Sequence, residues 1–247
     1  MKRDVEKMNQ VPAGGFARSV SRRAAGRVLL AGAIAVVAGA HGLAGVPVAR
    51  AAEEKPEYAN KALLAKEPLV RDMALGGADA PITIYEYASA TCPHCADFHI
   101  HEWPEIKKEY VDTGKVRFVF REFPLDQVAL AAFMLARCAA KDDPEKYHAV
   151  LGMIMKTQRE WAKDPKNGLM KIMRLAGMDE KTFDACLKNE KLARAIMNSA
   201  RMASRDFGIQ STPTFFINGR KVNGRRSIEE FRKIIDEELK RASAKAE

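Results

Sequence analysis

The chain is short of several things that would otherwise define it. Cysteine is scarce, with four in 247 residues, too few for a small scaffold stapled by disulfides, although an even number permits two pairs. Long apolar runs are missing: the most apolar stretch, Val28 to Ala40, is about 13 residues, whereas a helix that crosses a bilayer needs roughly 20. Charge imbalance is confined to the start. Residues 1–51 hold eight of the 41 Lys and Arg and two of the 32 acids, so the remainder carries 33 basic and 30 acidic residues, a net +3. So small a balance gives no reason to invoke nucleic acid as a partner. Internal repeats and low-complexity domains are also lacking. A hydrophobic share of 47% is that of an ordinary folded protein.

Residues 1–51 have the order of a signal peptide: basic residues up to Arg27, the apolar run, then Ala49-Arg50-Ala51 ahead of Ala52. Ser21-Arg22-Arg23 resembles a twin-arginine export signal, while Ala24-Ala25-Gly26 departs from the bulky residues that usually follow the pair. Cleavage is expected near Ala51, which would place the mature chain in the periplasm or another oxidising compartment of the cell envelope.

A polar N-terminal extension, 52–68, leads to Ile82–Tyr87, which alternates, is rich in β-formers and follows the turn residues Gly76, Gly77 and Pro81. A helix is expected after Cys92-Pro93-His94-Cys95, running to about Asp112, and then a strand over Val116–Phe120. That βαβ unit implies a parallel pair with a right-handed crossover. From Asp126 to about Phe207 the spacing is helical, with no strand in evidence. Strand character resumes at Thr214–Ile217, and Asn218-Gly219 is a two-residue hairpin signal leading into Arg220-Lys221-Val222. Ser227 and Glu230 form a capping box for a last helix whose apolar face is Ile228, Phe231, Ile234, Ile235 and Leu239. The expected class is α/β.

Thiols do redox chemistry as thiolates, so a site must favour charge on one sulfur and hold a second within reach. A CxxC at a strand-to-helix turn meets both needs. Pro93 suits the first helical position, the backbone N–H groups of His94 and Cys95 can point at the Cys92 sulfur, and helix polarity adds to the attraction. The imidazole of His94 can supply a further hydrogen bond or a positive charge. Cys92, nearer the surface, is expected to form the mixed disulfide, and Cys95, one turn in, to resolve it. The competing reading of a lone CxxC is half a zinc site. No second CxxC exists, and the motif follows a strand and opens a helix, so no metal is expected. A non-catalytic protein holding copper through Cys92, His94 and Cys95 is the alternative of another class.

The run Glu86-Tyr87-Ala88-Ser89-Ala90-Thr91-Cys92-Pro93-His94-Cys95, with Ser211-Thr212-Pro213-Thr214 further on, resembles the DsbA family over roughly residues 69–240. The resemblance implies a thioredoxin-like fold with an inserted helical subdomain: 69–125 and 191–242 as its two parts, 126–190 as the insertion, 243–247 as a tail. It implies a thiol:disulfide oxidase for newly exported, unfolded proteins, without a cofactor, monomeric, and reoxidised by a quinone-linked membrane partner. It assigns Thr212 and a cis Pro213 to substrate contact. Thr212 itself leaves room for a reductase or isomerase, because some isomerases of the family carry Thr there.

Three expectations concern other residues. Glu86 shares a strand face with Ile82 and Ile84, so it should be a buried acid, its pKa raised, suited to relaying a proton to Cys95. Cys138 and Cys186, 48 positions apart, are expected to form a structural disulfide, two buried free thiols being the alternative. His99 and His101, two apart on a helix, point to different sides and read as surface residues.

Overall fold

The computed structural model describes residues 57–244; the expected signal peptide lies outside the described residues, as does the end of the tail. Five strands form one mixed sheet in the order β1-β3-β2-β4-β5: β1 is Met73–Leu75, β2 Ile82–Ala88, β3 Val116–Glu122, β4 Thr214–Ile217 and β5 Arg220–Asn223. The β2–β3 pair is parallel and every other pair antiparallel. Sequence periodicity missed β1, a three-residue strand too short to show alternation. The expected hairpin forms, and Asn218 and Gly219 both take positive φ (51° and 94°), as a turn matched to the twist of the strands requires.

Between β2 and β3 the expected single helix is three segments: α2 (Pro93–His101), α3 (Trp103–Ile106) and a π-helical stretch, Lys107–Val111. The break falls just before Pro104, whose ring is tolerated only near a helix start. After β3 come α4 (Gln127–Ala140), α5 (Pro144–Lys156), α6 (Gln158–Trp161), α7 (Pro165–Leu175), α8 (Glu180–Leu187) and α9 (Glu190–Phe207). Local chemistry divides them. Asp126, Asp143, Asp164, Asp179 and Asn189 each accept a hydrogen bond from a backbone N–H of the helix that follows, the usual role of these residues at an N-cap. The last helix, α10 (Ile228–Ser243), opens on the capping box of Ser227 and Glu230.

The sheet is covered on both faces. One face carries Ile82, Ile84, Phe118, Phe120, Phe215 and Ile217 into the main core with Phe98 of α2, Phe231 of α10 and the helical block. The other carries Tyr87 and Phe216 against Ala203 near the end of α9 and Leu64 of a short helix, α1 (Lys61–Leu64). The N-terminal extension reaches this region by lying along β5, where Ala59 donates to the Gly219 carbonyl and Lys221 to the Glu57 carbonyl.

The helical block is tied to the sheet by charge as well as by packing. Glu122, at the end of β3, is buried and accepts hydrogen bonds from Arg137 of α4 (Nη2, 2.8 Å) and Tyr147 of α5 (Oη, 2.7 Å). Within the block Cys138 and Cys186 are bonded, S–S 2.06 Å, linking α4 to α8. Gly168 in α7 allows a close helix crossing: a Cβ there would lie 2.5 Å from the Trp161 Cα. Among the described residues no helix is long and apolar enough to cross a membrane.

Candidate active site

The central strand β2 delivers the site. Its last residue, Ala88, gives way to a turn over residues 89–91, and Cys92 is the N-cap of α2 with extended backbone (φ −79°, ψ 120°) and Pro93 just inside the helix. Two later elements fix that turn. The Thr91 hydroxyl donates to Asp126, the cap of α4 (2.6 Å), and the buried Gln158 amide of α6 donates to the carbonyls of Ala90 (2.8 Å) and Cys92 (3.0 Å). Neither residue stood out in the sequence. Each is ordinary in composition, and only the return of α4 and α6 to the same turn gives it a role.

Cys92 and Cys95 are free thiols of unequal setting. Cys92 retains 7% exposure and Cys95 none. The Cys92 thiol is pulled down to about 5: the Cys95 thiol donates to its sulfur, burial opposes, and the Thr212 side chain and the backbone N–H groups of Cys95 and His94 assist. Burial pushes the Cys95 thiol well above its usual value, reinforced by its hydrogen bond to Cys92 and by the negative charges of Cys92 and Glu86. One sulfur is thus held as a thiolate at neutral pH while its neighbour keeps its proton. The His94 side chain is exposed, and its backbone N–H also points at the Cys92 sulfur.

The Thr212–Pro213 bond is cis, and this segment lies against the dithiol. When protonated, the Cys92 thiol donates to the Thr212 carbonyl at 3.3 Å, and Thr212 and Pro213 are both buried. Pro213 leads directly into β4, so the loop is anchored by the strand paired to β2.

Glu86 is fully buried on the face that carries Ile82 and Ile84. Sequence reasoning gives it no partner, but the structure does: His99 Nε2 stands 3.0 Å from Glu86 Oε2. The expectation that His99 is a surface residue is overturned, since it is 2% exposed; His101 is exposed as expected. The two histidines do point to different sides, and one of those sides is the core. The signal was present: His99 follows Cys95 by four residues, which sets both on one helix face. Among the described residues no three His, Cys, Asp or Glu side chains are grouped as a metal site would group them.

Residues 69–237 match the profile of the family described as Thioredoxin. The "Putative protein-disulfide oxidoreductase RC0029" of Rickettsia conorii is 34% identical over 177 residues, 71% of this chain and 63% of the relative, so the chain spans less than two thirds of that protein's length. Disulfide bond formation protein D of Bacillus subtilis is 24% identical over 191 residues, 75% of this chain and 85% of that protein. Among solved structures, alpha-DsbA1 of Wolbachia pipientis superposes with a TM-score of 0.68 at 33% identity, covering 73% of this chain and 97% of that one. One third identity across nearly the whole of a solved DsbA, on the same fold, settles the assignment: the chain belongs to the DsbA-like family of thioredoxin-fold proteins.

Proposed function

We propose that the protein is an exported thiol:disulfide oxidoreductase that works as an oxidase, passing the Cys92–Cys95 disulfide to newly exported, unfolded proteins. The observation that carries this reading is the inequality of the two sulfurs. A Cys92 thiol lowered to about 5 stabilises the reduced form, and a dithiol stabilised when reduced makes its disulfide a stronger oxidant. Cys92, at the helix start and next to the surface, exchanges with substrate; Cys95 leaves or resolves. Thr212 and Pro213 line the place where an extended substrate strand would lie, and recognition through backbone groups implies low sequence specificity. The names of the relatives, protein-disulfide oxidoreductase and disulfide bond formation protein, support the same chemistry. A quinone-linked membrane protein is the reoxidant the family resemblance implies, and the cell envelope the compartment.

Thr212 supports a second reading, a reductase or isomerase. Titration of the purified protein against a glutathione redox buffer separates the two. An oxidase gives a dithiol couple more oxidising than the glutathione poise of the envelope, and Cys92→Ser abolishes disulfide transfer. A strongly reducing couple would transfer the assignment to the reductase reading.

A further inference from the structure

His99 has no part in the exchange just described, yet it is built into the site from behind. Cys95 and His99 occupy one face of α2, and opposite them on β2 stands Glu86, flanked in register by Phe120 and Phe215. Glu86 Oε2 meets His99 Nε2 at 3.0 Å. Its other oxygen, Oε1, is buried and has no hydrogen-bond partner among the described residues, and the charge of Glu86 acts on the Cys95 thiol. His99 also lines a surface pocket between α2, α3 and α5, of about 380 Å³, walled by Trp103 and His148 as well.

We propose that His99 is the outer member of a proton relay that runs from the Cys95 sulfur through Glu86 to this pocket, away from the substrate side. The inference rests on the thiol–disulfide exchange proposed above. Aromatic rings close the other directions, since His99 packs on Phe98, Trp103 and Phe120. The proton therefore has one polar neighbour inward, Glu86, and the pocket outward.

The step balances as follows. A substrate thiolate attacks Cys92 Sγ, the Cys92–Cys95 bond breaks, and a mixed disulfide forms. Cys95 departs with the electron pair and takes a proton from Glu86, which is resupplied through His99 from water in the pocket. The second substrate thiolate then attacks the substrate sulfur of the mixed disulfide and releases Cys92 as a thiolate. The substrate loses two electrons and two protons; one proton rests on Cys95 and one is in solvent. Protonation in the first step matters because burial makes Cys95 a poor thiolate leaving group. The groups that face the relay are Cys95 and Glu86 inward, and Lys107, Glu145, His148 and Lys156 around the pocket.

His99→Gln keeps a donor for Glu86 but has no ring nitrogen that can accept one proton while giving up another. Oxidised protein is mixed with a dithiol peptide in single turnover from pH 5 to 9, and Cys92 alkylation of the reduced protein is measured in parallel. General acid–base groups contribute roughly 10²–10⁴-fold, and for an outer member we expect a loss of ~10-fold at pH 7. One limb of the pH–rate profile should flatten while Cys92 alkylation is unchanged. In His99→Ala, imidazole added to the buffer should restore part of the rate, because the pocket opens onto the vacated position. A wild-type rate and profile in His99→Gln, or a loss of rate accompanied by altered Cys92 alkylation, would overturn the relay. Failure of the unaltered protein to oxidise the peptide would instead overturn the oxidoreductase reading on which it rests.

Discussion

Cys92 shows how little separates an inert cysteine from a reactive one. Its neighbours in sequence supply a helix start, two backbone donors and the Cys95 thiol, and the fold adds Thr212. Iodoacetamide alkylation of the reduced protein should therefore titrate with a midpoint of about 5. The same shift links stability to pH. Cys92 is an acid whose pKa is lower in the folded chain than in the unfolded one, so its thiolate contributes stability that is fully present above the unfolded value, near 8.5 for a free thiol. That contribution declines as pH falls and is lost through about 5. Denaturant melts at pH 4 and pH 8 should show the reduced protein gaining on the oxidised one as pH rises, and Cys92→Ser should remove most of that gain. Equal pH dependence in the two redox states would contradict the assignment of the thiolate to Cys92.

Elements follow sequence where chemistry is local. The hairpin turn, the capping box of α10, Pro93 at the start of α2 and the alternation of β2 are all legible because each involves residues within a few positions of one another. The divisions within the helical block were legible too, in Asp143-Pro144 and Asp164-Pro165, where a capping acid precedes a proline fit for the first turn. A reading of apolar spacing alone runs across them. Gly168 is the opposite case. In a helix interior Gly is less stable than Ala by roughly 0.5–1 kcal/mol, so Gly168→Ala would be expected to stabilise. The 2.5 Å approach to the Trp161 backbone reverses the sign, and overpacking of this kind costs about 1–3 kcal/mol. A thermal melt of Gly168→Ala should show a lowered midpoint; a raised one would mean that α6 and α7 do not meet as described.

At the scale of the molecule, the helical block has to hold still against the sheet, because α4 and α6 fix the turn that precedes Cys92. The Glu122–Arg137–Tyr147 network is the polar part of that attachment, and Arg137 also donates to the Arg71 carbonyl. Removing one member leaves a buried charge without its partner, which costs about 3–5 kcal/mol. Arg137→Ala should lower stability by that order in denaturant titration, whereas the paired change Glu122→Gln with Arg137→Met should recover much of the loss. Loss below about 1 kcal/mol for Arg137→Ala would place the network among surface ion pairs.

The dithiol, its placement at a strand-to-helix turn, the parallel βαβ unit, the hairpin and the buried direction of Glu86 could all be read from the order of residues, because each depends on residues close in the chain or on a fixed period. What faces the dithiol across long separations depends on how the elements pack. Thr212 lies 120 positions from Cys92, Gln158 is 66 positions from the carbonyl it holds, and His99 became a core residue only when α2 was laid on β2 opposite Glu86. Helical spacing tells which residues share a face but not which face meets the sheet; packing makes that choice, and here it turned a surface histidine into the partner of the buried acid.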